Sequence, residues 1–536
     1  MKTLREIFTG HSLSYSPIAL PDLAIEGITI DSRAVKPGYL FVAMKGGSFD
    51  GHDFIPKAIE NGAAAIVGER DLTGLPVPFI HIENTRRSLT WLAASFYDFP
   101  ARHLTVVGVT GTDGKTTTCN LIYQILIAAG LRAGLISTVN AVIGDEVLDT
   151  GFHVTTPDAH DVQYYLARMV EAGLTHVVLE TTSHGWAQYR VDACEFDIGV
   201  ITNITHEHLD QHGSYENYRA AKGRLFTSLE KTLPKPQGNP RLAVLNRDDR
   251  SYEYLESITK VRKVSYGIVK GVEICAEEIQ YGPLGIQFMV STNGLRFPVK
   301  SNLVGAYNVS NCLAALGATV AGLGIKPEIA AKGIASLAGV PGRMERIDLG
   351  QNFTAIVDFA HTPNALKVSL EAAHAFILNP SPAGKGEQGV RGRVIAVFGS
   401  AGLRDKEKRR MMAETSAELA DLTVLTAEDP RTESLAGILD EMAAGARSKG
   451  GREGETFWRV ADRGEAVKFA LSLAHPGDIV LACGKGHEQS MCFGVTEYPW
   501  DDRIAMRAAL SQMLSLDGPK MPYLPTQDKS EEEWLK

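Results

Sequence analysis

Cysteine is scarce: six residues in 536 (Cys119, Cys194, Cys275, Cys312, Cys483 and Cys492), with no C-x-x-C pair. That excludes a disulfide framework and a zinc-finger pattern, and it suits a reducing compartment where the thiols stay free and buried. A basic excess is lacking too. The net charge of −9 argues against a general nucleic-acid or acidic-membrane surface, so any anion must be held by a local pocket. No apolar run is long enough to cross a bilayer, and Met1-Lys-Thr-Leu-Arg-Glu-Ile7 lacks the apolar core of a secretory signal. These absences lead to the expectation of a cytoplasmic protein that acts on small molecules, without nucleic acid or membrane insertion. One core is too few for this length, and about three domains are expected.

What the chain does have is glycine placed as punctuation. In Gly108-Val-Thr-Gly-Thr-Asp-Gly-Lys-Thr-Thr-Thr118 a β-branched run, Leu104 to Val107, passes through a glycine loop into an apolar-periodic segment ending at Gly130. The pattern predicts strand, loop and helix. Gly111 and Gly114 permit tight turns, so amide N–H groups and the helix N-terminus can cradle phosphate oxygens, with Lys115 as a point charge and Thr116 as a magnesium ligand. Val109 stands where the general P-loop has its first glycine, which makes this a variant. A nucleoside triphosphate site is the first expectation.

Alternating strands and helices predict an α/β protein. A small α/β domain is expected over 1–100, a P-loop domain with a doubly wound, mostly parallel sheet over 101–343, a Rossmann-like domain over 344–516, and a tail over 517–536. In the first, Asp31-Ser-Arg33 follows a strand, Gly27 to Ile30, and Gly46-Gly-Ser-Phe-Asp-Gly-His-Asp53 forms a second polar loop. In the second, alternation is expected to continue to about Arg343. The strand Thr175 to Glu180 ends on a carboxylate, and open α/β sheets bind ligands at strand C-termini, so Glu180 is a candidate for magnesium. The next strand, Asp197 to Asn203, leads into a loop where His206, His208 and His212 have plausible zinc spacing, an alternative to Mg²⁺. Lys222 falls in a predicted helix, Tyr215 to Leu229, where a solvated charge is the ordinary expectation. Strands of the third domain are predicted at Phe353 to Val357, Arg393 to Phe398, Leu422 to Thr426 and Asp478 to Ala482. Asn379 to Arg391 reads as a mobile insertion, and the end after Pro525 as solvated.

The ordered set Asp31-Ser-Arg33, Gly111-Thr-Asp-Gly-Lys-Thr-Thr117, Thr155-Thr-Pro157, Ser183-His-Gly185, His208-Leu-Asp210, Tyr218-Arg-Ala-Ala-Lys222, Asn308 to Asn311, Gly342-Arg-Met-Glu345, Asp358-Phe-Ala-His-Thr-Pro363 and Gly484-Lys-Gly-His-Glu488 resembles the Mur ligases over nearly the whole chain. These are ATP-dependent amide-forming enzymes of peptidoglycan precursor synthesis, and the likeness is greatest to the MurE type. The resemblance implies an acyl phosphate on UDP-N-acetylmuramoyl-L-alanyl-D-glutamate, captured by a diamino acid. It gives catalytic roles to Lys115, Glu180, His208 and Lys222, the last as a carbamate derived from CO₂. ATP would meet Gly111, Thr112, Asp113, Gly114, Lys115, Thr116, Thr117, Asn308, Arg343, Asp358 and His361, with Mg²⁺ on Thr116, Glu180 and His208. The UDP-muramoyl dipeptide would meet Ser32, Thr155, Thr156, Ser183, Gln188 and Arg190. The diamino acid would meet Arg404, Glu428, Asp429, Arg431, Gly484 and Glu488, and a monomer is expected.

Three departures from the usual pattern stand out. Asp113 replaces a commoner Asn, Glu180-Thr-Thr-Ser183 replaces Glu-Val-Ser-Ser, and Glu428-Asp-Pro-Arg431 replaces Asp-Asn-Pro-Arg. The last bears on the amino acid: retained Arg431 favours meso-diaminopimelate, while an acidic pair that neutralised it would favour L-lysine or L-ornithine. Alternatives are another ligase of the superfamily, such as folylpolyglutamate synthase, a P-loop NTPase that joins nothing, and a zinc hydrolase.

Overall fold

The computed structural model describes residues 2–9, 20–46, 49–148, 156–205, 212–282, 285–378 and 392–528. It is an α/β protein whose chain packs into two compact units, Met1–Cys275 with Leu313–Gly333, and Ala276–Cys312 with Ile334–Lys536.

The first unit opens with a four-stranded parallel sheet, ordered Gly27–Thr29, Tyr39–Val42, Ala63–Gly68, Phe79–His81. Its covering helix, Thr85–Phe96, starts on Asn84, whose side chain accepts the Arg87 N–H. A larger sheet follows. Its parallel strands run in the order Ala133–Ile136, His176–Glu180, Thr105–Thr110, Ile198–Ile201, Leu242–Asn246, Arg262–Gly267. Thr105–Thr110 is buried at every position, as a strand covered on both faces must be. Beneath it Asp197 accepts the Val106 N–H at 2.7 Å and pairs with Lys235 at 2.5 Å, both side chains fully buried.

The expected alternation to Arg343 fails in two places. Ala141–Ile143 and Glu146–Leu148 form an antiparallel pair on one edge. In the second unit Gly285–Thr292 pairs antiparallel with Leu295–Ser301, directly after Ile274–Gly282 and with no helix between. The cause is local: Asn293 (φ +47°) and Gly294 (φ +78°) make a two-residue turn that returns the strand on itself.

The rest of the second unit is a six-stranded sheet ordered Glu345–Ile347, Thr354–Asp358, Ile479–Cys483, Val394–Phe398, Leu422–Leu425, Phe457–Arg459, parallel except at its first pair. The chain after Pro525 was expected to be solvated; of its described residues Gln527 and Asp528 are exposed, while Thr526 is anchored. Leu524 and Thr526 are buried, and the Thr526 hydroxyl donates to Asp462 at 2.6 Å. Residues 379–391 and 529–536 lie outside the described residues. All six cysteines are buried and free. Among the described residues no helix is long and apolar enough to cross a membrane.

Candidate active site

In the first unit the glycine loop leaves the C-terminal end of Thr105–Thr110, between the ends of His176–Glu180 and Ile198–Ile201, and runs straight into helix Lys115–Ala128. Gly111 has φ +155°, and a Cβ there would lie 1.8 Å from Thr202 Oγ1. Only glycine lets the two strand ends approach so closely. The loop is held by its neighbours. Thr112 N–H donates to the Asn203 carbonyl (2.8 Å), Asp113 N–H to Asn203 Oδ1 (2.9 Å), and Thr202 Oγ1 to the Asp113 carbonyl (2.6 Å). Thr112 Oγ1 and the Tyr218 hydroxyl are 3.0 Å apart.

Both candidate catalytic lysines reach this loop. Lys115 Nζ donates to the Thr112 carbonyl at 2.7 Å and Lys222 Nζ to the Gly111 carbonyl at 2.6 Å. Lys222 is not the solvated charge that a helix lysine ordinarily is. It is 2% exposed, on the inner face of helix Tyr215–Ser228, with its ammonium 4.5 Å from the Tyr218 ring centre. Thr116 Oγ1 donates to Glu180 Oε1 at 3.1 Å, and the Thr138 N–H donates to Oε2 at 3.0 Å. Thr117 is buried in the same helical turn.

Glu180 also borders the residues expected to hold the muramoyl peptide. Thr156 Oγ1 lies 3.4 Å from the Glu180 carbonyl and 3.1 Å from Thr182 Oγ1. Arg190 donates to the Thr156 carbonyl (2.6 Å) and to Gln188 Oε1 (3.0 Å), and it pairs with Asp158 at 3.1 Å. Ser183 begins the helix that Thr182 caps and is buried. Ser32 is buried in its turn, its carbonyl accepting Asn61 Nδ2 at 2.8 Å. Thr155, His206 and His208 lie outside the described residues; the His212 ring lies 5.4 Å from the Tyr218 ring, tilted at 56°. Among the described residues no group of three or more His, Cys, Asp or Glu is arranged to hold a metal.

The second unit holds the remaining candidates in two groups. In one, Asp358 accepts the Met344 N–H (3.0 Å) and the Ser369 hydroxyl (2.5 Å) at the end of its strand. Arg343 lies 4.3 Å over the Phe359 ring. His361 Nδ1 donates to the Phe359 carbonyl at 2.9 Å, and burial, with Lys408 and Arg343 nearby, holds this imidazole well below its usual pKa and hence neutral. Asn308 is buried and takes part in bonds to Val304 and Asn311.

The other group gathers at the C-terminal ends of three neighbouring strands. Glu428 follows Leu422–Leu425, Gly484 follows Ile479–Cys483, and the Arg404 loop follows Val394–Phe398. The Gly402 N–H donates to the Asp429 carbonyl (2.9 Å) and Arg431 to the Gly402 carbonyl (3.4 Å), which joins two of these loops. Asp429 (φ +41°) and Arg431 (φ +53°) both take the left-handed conformation, a strain of order 1–3 kcal/mol each that a functional loop sustains only when its surroundings enforce it. Asp429 does not neutralise Arg431. Its two oxygens lie 3.1 Å from Lys485 Nζ. Burial pushes the Glu428 carboxyl up to about 7 against the pull of Lys408, Arg463 and Lys485.

Sequence reasoning missed the residues that brace this group. Arg463 is wholly buried and donates to Asp502 (2.7 and 2.6 Å), the Ala427 carbonyl (3.1 Å) and the Cys483 carbonyl (2.7 Å). Trp500 Nε1 donates to Asp502 at 2.8 Å, and its backbone N–H to the Gln489 carbonyl at 3.0 Å. One guanidinium thus fixes the residues just before Glu428 and Gly484, and its partner's neighbour fixes the residue just after Glu488. Arg463→Met is expected to destabilise the fold by about 3–5 kcal/mol by stranding Asp502. A chemical-denaturation midpoint equal to that of the wild type would refute this.

Three family profiles match in chain order: "Mur ligase family, catalytic domain" over 24–97, "Mur ligase middle domain" over 109–319 and "Mur ligase, glutamate ligase domain" over 342–486. The UDP-N-acetylmuramyl-tripeptide synthetase of Roseiflexus sp. (strain RS-1) is 41% identical over 508 residues, 93% of this chain and 97% of the relative. The chain belongs to the Mur ligase family. Another of these ligases, the UDP-N-acetylmuramoyl-L-alanyl-D-glutamate–2,6-diaminopimelate ligase of Geobacillus thermodenitrificans, is 39% identical, with 92% of this chain and 96% of the relative covered. A solved structure of a UDP-N-acetylmuramoyl-L-alanyl-D-glutamate–2,6-diaminopimelate ligase superposes with a TM-score of 0.64 at 28% identity, over 96% of this chain and all of the other. The three Mur ligase domains account for the layout of the sheets, the P-loop falling in the middle one.

Proposed function

We propose that this Mur ligase uses ATP to join meso-diaminopimelate to UDP-N-acetylmuramoyl-L-alanyl-D-glutamate, making a peptidoglycan precursor. The observation that carries the reading is the adjacency, at the C-terminal ends of neighbouring interior strands, of Lys115, Thr116 and Glu180 with Thr156, Ser183 and Arg190. Phosphate-handling groups border groups suited to a peptide carboxylate. The names of the relatives support the same substrates. Residues 1–100 would receive the uridine end through Ser32, 101–343 the ATP phosphates, and 344–516 the amino acid. The protein would act as a cytoplasmic monomer.

In the proposed reaction the dipeptide carboxylate attacks the γ-phosphorus of ATP, ADP leaves, and an acyl phosphate forms. The amine of the amino acid then attacks the acyl carbon and phosphate leaves. Lys115 and the loop amides hold the phosphates where charge spreads in phosphoryl transfer. Thr116 Oγ1 and Glu180 Oε1 are hard oxygen donors 3.1 Å apart, and they fit Mg²⁺, which keeps much of its water and takes few protein ligands. When bound, Mg²⁺ would neutralise phosphate charge; His208 would serve a second ion. The Lys222 ammonium, buried against the Gly111 carbonyl, is proposed to lose one proton, add CO₂ through the freed amine at Nζ and lose a second proton, which exchanges a cation for a carbamate anion that would support Mg²⁺. Asn308 would face adenine, Asp358 the ribose, and Arg343 and neutral His361 the phosphates.

The test is incubation with ATP, Mg²⁺ and the UDP-muramoyl dipeptide against a panel of amino acids, with product mass and phosphate measured. The expected result is a meso-diaminopimelate adduct with one phosphate per product. Preference for lysine or ornithine would overturn the amino-acid assignment, and phosphate release without an adduct would favour a plain NTPase. Arg431→Ala is expected to raise the KM for meso-diaminopimelate roughly 10- to 100-fold through loss of a charge-assisted contact, with the KM for ATP unchanged. Equal effects on both would remove Arg431 from the amino-acid site.

A further inference from the structure

Three acids lie near the amino-acid loops, and the structure treats them differently. Asp429 gives both oxygens to Lys485 Nζ, and Oδ1 also accepts the Cys492 N–H at 2.9 Å. Glu488 Oε2 lies 2.5 Å from the same ammonium. Lys485 is 0% exposed, so these two carboxylates, rather than water, satisfy its charge. They more than offset the cost of burial, since the Lys485 pKa is raised.

Glu428 stands apart. It is 6% exposed, and its buried Oε2 has no hydrogen-bond partner. A Cβ on Gly484 would come within 2.2 Å of that oxygen, so only glycine there lets the Glu428 carboxylate keep this position. The charges that face Glu428 are Lys408, Arg463, Lys485 and Asp429; of these Arg463 is paired with Asp502 and Asp429 with Lys485. Three residues further along the loop, Arg431 has no carboxylate partner among the described residues, and its guanidinium makes one long bond to the Gly402 carbonyl at 3.4 Å. A buried acceptor without a donor costs free energy until a ligand supplies one.

We propose that Lys485 sets the amino-acid selectivity of this enzyme: by pairing with Asp429 and Glu488 it leaves Glu428 and Arg431 as the open acid and the open base. That combination suits a far end that carries an ammonium and a carboxylate together. A far end that carries only an ammonium finds a guanidinium with nothing to pair. Released from Lys485, Asp429 and Glu488 would add negative charge, attract a lone ammonium and repel a carboxylate. The inference rests on the diamino-acid reading of the site and explains how an acidic residue at 429 is compatible with it.

The test compares kcat/KM for meso-diaminopimelate and L-lysine, with ATP and the UDP-muramoyl dipeptide saturating, in four full-length proteins. Lys485→Met is expected to raise the lysine-to-diaminopimelate ratio at least tenfold. Asp429→Asn, nearly isosteric and able to keep the Cys492 bond, is expected to lower it several-fold. The double variant restores the wild-type net charge and is expected to return towards the wild-type ratio, which a structural role for the lysine would not produce. Thermal melts accompany each. If Lys485→Met does not fold, Asp429→Asn still decides, since an unchanged ratio in it overturns the role of Lys485. Proportional loss of both substrates in a folded Lys485→Met also overturns it. Absence of any ligation by the wild type would instead overturn the proposed function itself.

Discussion

Lys115→Ala is expected to abolish ligation, by roughly 10²–10³-fold or more, while leaving the fold intact. Preorganised charge aimed at a transferring phosphoryl group is worth that much when solvent is excluded. The fold survives because the glycine loop does not depend on the lysine. Asn203 holds two of its N–H groups, Thr202 holds a carbonyl, and the Thr112 side chain meets Tyr218. Lys115 contributes one bond, to the Thr112 carbonyl at 2.7 Å, which is worth about 1 kcal/mol. Turnover is read as ADP and adduct formed, and stability as a melt. Wild-type turnover in the variant would sink the phosphate-site assignment, and a large fall in melting temperature would show that the lysine is structural.

The second large effect is expected at Lys222. Lys222→Ala should lose roughly 10²–10³-fold in turnover and regain part of it in formate or acetate. The rescuing molecule discriminates the chemistry. Removal of the side chain from a buried position beside the Gly111 carbonyl leaves a void at the P-loop. A small carboxylate entering it would replace a carbamate, whereas methylammonium would replace an ammonium. Recovery with methylammonium and none with formate would show that the charged amine is the working form. Full activity without additive would remove Lys222 from catalysis.

The parts of this fold that were legible in the sequence are those whose signals are local. Gly111, Gly114 and the 3.6-residue apolar period define strand, loop and helix around Lys115, and the helix ends at Ala128, close to the expected Gly130. Strand-end residues such as Glu180 and Asp358 fall where the alternation predicts. The hairpin of Gly285–Thr292 and Leu295–Ser301 carries a local signal too, Asn293-Gly294 between two alternating runs, which the expectation of continued α/β alternation passed over. Long-range pairing was not legible. Lys222 looks like any helix lysine until Gly111, 111 residues away, is brought to its ammonium. Lys485 lies in a quoted motif, yet its partner Asp429 is 56 residues distant. The question of whether an acid at 429 would neutralise Arg431 could be posed from the departure from the family's Asp-Asn-Pro-Arg pattern, but answering it needed that contact.

The brace formed by Arg463, Asp502 and Trp500 has a consequence for how such an enzyme can diverge. It fixes the backbone at Ala427, Cys483 and Gln489 from behind, through groups buried away from any ligand. Side chains at 428 and 431, which among the described residues make no carboxylate or ammonium pair within it, are therefore displayed from a backbone that this brace holds. Exchanging them alters the charge presented to an amino acid without moving the positions from which it is presented. Descendants of this chain could thus change the amino acid they accept by few substitutions, each tolerated by the same scaffold, while the phosphate chemistry on the middle domain stays as it is.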